Sequence, residues 1–124
     1  MSVHPTAIVE DGVDLGADVE IGPYAVIRAG TVLGDGVAVG EHAVLGKRPK
    51  LGARSTAASG DLPGLRVGAG ATISTHAVVY AGTELAAGVI VGDQAFVRER
   101  CTVGERTVIG RGVTVENDVA IGAD

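Results

Sequence analysis

At 124 residues the chain has the length of a single domain. Its net charge of −5 argues against nucleic acid as a partner. No apolar run reaches 18 residues, which excludes a helical membrane span, and three aromatic residues (Tyr24, Tyr80, Phe96) with no Trp are too few for a conventional core. The opening Met1-Ser2-Val3-His4-Pro5 has no charged and apolar leader, so the expected location is the cytoplasm. Cys101 is the sole cysteine, so no internal disulfide can form.

In chain order, a Val, Ile or Leu falls on every sixth residue. The series runs Val3, Val9, Leu15, Ile21, Ile27, Leu33, Val39, Leu45, Leu51. After one interruption it resumes as Val67, Ile73, Val79, Leu85, Val91, Val97, Val103, Ile109, Val115, Ile121. Two residues before the periodic position stands a small residue in most units, such as Ala25, Thr31, Ala77 or Cys101. The residue after it is most often Gly. Two inward positions two residues apart have strand spacing, because alternate side chains share a face. Gly then marks the turn. A helix is excluded, since period six makes no stripe at period 3.6.

A short strand and a turn, repeated, is the pattern of a solenoid of parallel strands. Three units make one triangular turn. Val3, Ile21 and Val39 then stack in one column, Val9, Ile27 and Leu45 in a second, and Leu15, Leu33 and Leu51 in a third, with rungs about 4.8 Å apart. One loop, near residues 53–66, is expected to leave the prism, because Leu51 and Val67 are not separated by a multiple of six. Basic residues flank it: Lys47, Arg48, Lys50, Arg54 and Arg66. Lys47, Arg48 and Lys50 are candidates for binding an anionic substrate group.

The units Val-Asp-Leu-Gly-Ala-Asp, Val-Glu-Ile-Gly-Pro-Tyr and Thr-Val-Ile-Gly-Arg-Gly resemble the hexapeptide repeat of left-handed parallel β-helix acyltransferases. The start Val3-His4-Pro5-Thr6-Ala7-Ile8-Val9 is similar to that of the lipid A pathway acyltransferases and the nucleotide-sugar N-acyltransferases. The resemblance covers residues 3–122. It implies an all-β, left-handed parallel β-helix of about six 18-residue coils, one domain over 1–124, assembled as a homotrimer. It also implies an acyl- or acetyltransferase. The donor would be acetyl-CoA or another acyl thioester, including an acyl carrier protein, and the acceptor an amino sugar or nucleotide sugar. The alternative is a non-catalytic trimerising or regulatory β-helix module.

Acyl transfer needs a general base, most often His. His4 sits at the N-terminal cap and His42 on an outer turn, which leaves His76 as the catalytic candidate. In the lipid A acyltransferases the catalytic His follows an inward aliphatic by two residues, in an Ile-Ala-His pattern. The corresponding stretch here is Val79-Tyr80-Ala81, so that residue does not carry over. Tyr80, in a slot usually held by Gly, is a candidate for substrate stacking or for an interface. The γ-class carbonic anhydrases share the fold and bind zinc through a His-x4-His pair and a third His. No such pair is present, so no metal is expected. Cys101 reads as a buried small residue. Outward Ile8, Val26, Val32, Val44, Val78, Ile90, Phe96 and Val108 suggest association. The end at Ala123-Asp124, inside a repeat, reads as a truncation or as a rung covered by a partner chain.

Overall fold

A computed structural model describes residues 1–50 and 62–124. Among these residues there are eighteen short strands. They are β1 Ser2–Val3, β2 Ile8–Val9, β3 Asp14–Leu15, β4 Glu20–Ile21, β5 Val26–Ile27, β6 Val32–Leu33, β7 Ala38–Val39, β8 Val44–Lys47 and β9 Arg66–Val67. The second half holds β10 Thr72–Ile73, β11 Val78–Tyr80, β12 Glu84–Leu85, β13 Ile90–Val91, β14 Phe96–Val97, β15 Thr102–Val103, β16 Val108–Ile109, β17 Thr114–Val115 and β18 Ala120–Ile121.

Every third strand pairs in parallel. The first sheet is β1-β4-β7-β10-β13-β16, the second β2-β5-β8-β11-β14-β17 and the third β3-β6-β9-β12-β15-β18. Three six-stranded sheets wound in this order form a triangular β-helix of six coils. The two inward positions of each unit fill it: Ile27, Leu45, Val79 and Val97 stack inside the second sheet, with Ala25, Ala43, Ala77 and Ala95 beside them, all fully buried. The core is aliphatic because each rung turns two side chains inward per face, one of them Val, Ile or Leu and the other most often Ala, Val or Thr.

The interruption differs from the sequence expectation. Leu33 pairs with Val67, so Val67 and not Leu51 holds the third column's slot above Leu33. That step takes 34 residues where every other coil takes 18, an excess of 16. Leu65 is fully buried and fills an inward slot, and Arg66 begins β9, so the regular structure resumes earlier than the expected loop end at 66. Leu51 itself, Arg54 and most of the expected loop lie outside the described residues. The flanks meet: Arg48 Nη1 donates to the Leu62 carbonyl at 2.8 Å, and Gly82 N–H donates to the Pro63 carbonyl at 2.8 Å. Gly64 passes so close to the Gly30 carbonyl that a Cβ would overlap it. No described helix is long and apolar enough to cross a membrane.

Candidate functional site

The outer face of the second sheet is apolar over five consecutive rungs: Ile8, Val26, Val44, Val78 and Phe96 stand one above another. Ile8 is 58% exposed and Phe96 40%. The first sheet presents Ser2, Glu20, Ala38 and Thr72 before Ile90 and Val108, and the third presents Asp14, Val32, Arg66 and Glu84, so the expected outward apolar residues gather mainly on one face. Chemistry-bearing side chains line both edges of that face.

At the edge where the second-sheet strands begin, the turn residues in successive coils are Tyr24, His42 and His76. All three hold left-handed backbone, with φ of 61°, 59° and 60°. Main-chain bonds set the spacing: His42 N–H donates to the Pro23 carbonyl at 3.1 Å, and His76 N–H to the Glu41 carbonyl at 3.0 Å. The rings stack, Tyr24 on His42 at 5.1 Å and His42 on His76 at 4.8 Å, the latter pair within 9° of parallel. His42 and His76 are 34 residues apart, which in sequence separates them; the 16-residue excess makes them neighbours on adjacent coils. Stacked face to face, the imidazoles do not converge their nitrogens on a common point. Among the described residues no group of three His, Cys, Asp or Glu could hold a metal ion. His4 is used structurally: its Nδ1 accepts from Thr6 N–H at 3.2 Å and lies 2.9 Å from Thr6 Oγ1.

Beside this edge a shallow groove of about 660 Å³ runs over the first sheet, lined by Ser2, Glu20, Glu41, Thr72, Ser74, Thr75 and Asp93 among others. Thr75 organises its rim: its N–H donates to Asp93 Oδ1 at 3.2 Å and its hydroxyl to Glu41 Oε1 at 3.3 Å. His76 follows Thr75 directly, so a base candidate stands next to a hydroxyl- and carboxylate-lined groove.

At the opposite edge, where the second-sheet strands end, the pairing slips. Val79 opposes Leu45 but Tyr80 opposes Lys47, leaving Gly46 as a bulge at φ 84°. The bulge puts Lys47 beside Tyr80. Lys47 Nζ lies 5.6 Å from the Tyr80 ring centroid, and the Arg98 guanidinium carbon, from the next coil, also lies 5.6 Å away. The expected stacking surface of Tyr80 is thus flanked by cations. Arg98 is held in turn by Glu99, its Nε and Nη2 donating to the two carboxylate oxygens at 3.0 and 3.1 Å. Glu99 is fully buried, and a charge so buried is stable only when paired. Arg100 approaches Glu99 at 3.8 Å and makes a forked pair with Asp118 at 2.7 and 3.1 Å. The hydrogen bonds between Arg100 and Asp118 hold that guanidinium's pKa above, and that carboxyl's below, the usual value.

Of the residues predicted from sequence, Lys47 and Tyr80 come together, and Arg48 is tied to Leu62. Lys50 is exposed. His76 stands at the other end of β11, roughly 13 Å away at strand rise. Arg98 and Glu99 were missed. The signal for them was Arg98-Glu99-Arg100, three charges where other units turn on Gly or small polar residues. Burial pushes the Cys101 thiol upward, which opposes a thiolate nucleophile.

Residues 12–47 match the family described as bacterial transferase hexapeptide (six repeats), so the repeat resemblance read from the sequence holds. No curated protein matches the chain in sequence. Among solved structures, the acetyltransferase domain of PglB from Neisseria gonorrhoeae is similar at 24% identity and a TM-score of 0.77, over 97% of this chain and 53% of that one. Its complex with acetyl coenzyme A is similar at 23% and 0.73, over 97% and 53%. PerB from Caulobacter crescentus, in complex with CoA and GDP-perosamine, is similar at 26% and 0.61, over 96% of this chain and 50% of that one. The chain thus spans about half the length of the structures that it resembles.

Proposed function

We propose that the protein is an acyltransferase, moving an acyl group from a thioester to an amino-sugar or nucleotide-sugar acceptor. The observation that carries this reading is the superposition of nearly the whole chain on a structure holding both CoA and GDP-perosamine. Acetyl-CoA is the donor of first choice, with an acyl carrier thioester as the other form. A homotrimer closed along the apolar face of the second sheet gives a closed symmetry. It turns both edges of that face into clefts between copies. The same reading places the reaction in the cytoplasm.

In this mechanism the acceptor amine attacks the thioester carbonyl. A carbon–nitrogen bond forms, the carbon–sulfur bond breaks, and His76 takes the amine proton and returns one to the departing thiolate. Lys47, Arg48 and Lys50 hold the anionic part of a substrate, and Tyr80 stacks against it. The test is His76→Ala in a free-thiol release assay with acetyl-CoA and a panel of nucleotide-linked amino sugars. The expected loss in kcat is about 100-fold or more, with the melting temperature unchanged; full activity in the variant removes His76 from the mechanism. One observation favours the non-catalytic reading instead: no described residue hydrogen-bonds the His76 ring to orient it. A thermal-shift titration separates the two, since a bound ligand raises apparent stability by mass action. No shift with CoA, acetyl-CoA or an acyl carrier thioester selects the module.

A further inference from the structure

The edge of the second sheet around Tyr80 is built more firmly than a solvated cluster of surface charges. Glu99 has no exposed surface, and both of its carboxylate oxygens accept from Arg98. A guanidinium carries five N–H donors. With one donor of Nε and one of Nη2 committed to Glu99, three donors remain. Arg98 is therefore a fixed donor, not a swinging one. Tyr80 is the second fixed part, a ring with one cation approaching from each flanking strand, Lys47 from the coil before and Arg98 from the coil after. The bulge at Gly46 brings Lys47 into line.

We propose that Lys47, Tyr80 and Arg98 form a diphosphate clamp, and that Glu99 is its positioning residue. Each cation lies 5.6 Å from the ring centroid, so their charged groups are no more than about 11 Å apart. Two charge-assisted hydrogen bonds of about 2.8 Å together with two linked phosphates stay within that limit. Two linked phosphates can therefore meet both cations at once, one phosphate to each. The apolar wall of Val44, Val78 and Phe96 beside the clamp lowers local solvation and strengthens such contacts. This deepens the acyltransferase reading and rests on it for the source of the ligand: a CoA donor and a nucleotide-sugar acceptor both carry a diphosphate. Glu99 acts only through Arg98, since neither of its oxygens is free to meet substrate.

The test uses the full chain, with inorganic pyrophosphate as probe and orthophosphate beside it, by titration calorimetry. A Tyr24→Phe background leaves Tyr80 as the sole tyrosine in a protein without Trp, so its near-ultraviolet signal reports binding at the clamp. Pyrophosphate is expected to bind more tightly than orthophosphate and to shift that signal. Arg98→Ala and Lys47→Ala each weaken it by roughly ten- to hundredfold. Glu99→Gln weakens it too, and Arg98→Lys fails to restore it, because an ammonium cannot be held by a forked pair. Arg106→Ala, which removes a cation elsewhere, leaves it unchanged. Should Glu99→Gln not fold, the two alanine variants decide. Wild-type affinity in Arg98→Ala, an equal loss in Arg106→Ala, or no preference over orthophosphate overturns the clamp. Competition with CoA and with UDP assigns the source; displacement by neither also overturns it. Intact pyrophosphate binding without acyl transfer sinks the enzyme reading alone, and transfer with unaltered binding in Arg98→Ala sinks the clamp alone.

Discussion

Two threonines in one inward column make opposite predictions for the same substitution. Thr31 and Thr83 both lie inside the third sheet and are fully buried. The Thr83 hydroxyl donates to the Arg98 carbonyl at 2.6 Å and accepts from Cys101 N–H at 3.2 Å. The Thr31 hydroxyl has no hydrogen-bond partner among the described residues. Valine has nearly threonine's shape, so Thr→Val changes polarity and little else. In Thr83→Val a buried N–H and a carbonyl each lose a partner, at about 1–3 kcal/mol per orphaned group, which gives about 2–6 kcal/mol of destabilisation. In Thr31→Val a buried, unpaired hydroxyl is removed, and its burial costs about 1–3 kcal/mol on mutational scales; the variant is expected to be neutral or more stable by about 1 kcal/mol. Urea unfolding at one protein concentration measures both, so that the proposed assembly contributes equally to the two. For a domain of this size the gap corresponds to roughly 10–25 °C in melting temperature. Equal losses in the two variants would refute the reasoning.

Gly64→Ala is expected to cost about 1–3 kcal/mol through overlap with the Gly30 carbonyl, measured by the same unfolding midpoint; no change would mean that the flank is not held against that turn. Val78→Glu, on the apolar face of the second sheet, is expected to break the proposed trimer into monomers in sedimentation, whereas Glu84→Gln on the third sheet does not. The pair between Arg100 and Asp118 contributes to acid stability with a definite sign. The Asp118 carboxyl is held below its ordinary 3.8 by hydrogen bonds from Arg100 and Asn117, so its contribution is present above about pH 4 and is lost as pH falls through the folded value. The stability difference between wild type and Asp118→Asn should therefore shrink on acidification and in high salt; a difference that grows would contradict it.

Period six was enough to assign nearly every strand, because each rung and face of the prism takes two inward side chains, one of them always Val, Ile or Leu. The error at Leu51 was readable in retrospect. Two residues before it stands Pro49, where most other units carry Ala, Val, Thr or Cys. Pro withholds an N–H from the ladder. The apolar rhythm alone, without its partner position, placed one unit too many. The functional edges were less legible because stacking is a relation between coils. His42 and His76 become neighbours only when the 16-residue excess is subtracted, and Lys47 meets Tyr80 only through the bulge at Gly46. Glu99 was hidden for another reason: a carboxylate in a turn reads as solvated, and its burial depends on the guanidinium beside it.

Under the proposed acyl transfer, the two edges of the second sheet divide the chemical demands between them. One presents imidazole next to hydroxyls and carboxylates; the other presents cations around an aromatic ring. They lie roughly 13 Å apart at strand rise, too far for one small group to touch both, yet a span that a nucleotide-linked ligand covers. The face between them is apolar and would be wasted in a lone prism. If copies close on that face, each cleft draws one edge from each of two neighbours, and the effective distance between base and clamp is set by assembly, not by β11. A mixed trimer tests this arrangement. Chains carrying only His76→Ala and chains carrying only Arg98→Ala are each expected to be impaired. Mixed and reassembled, they should regain activity where a cleft combines His76 of one chain with Arg98 of the next. Recovery to a fraction set by the statistics of mixing places both residues in one cleft across the interface. Activity that stays at the average of the two variants means that each chain completes its own site.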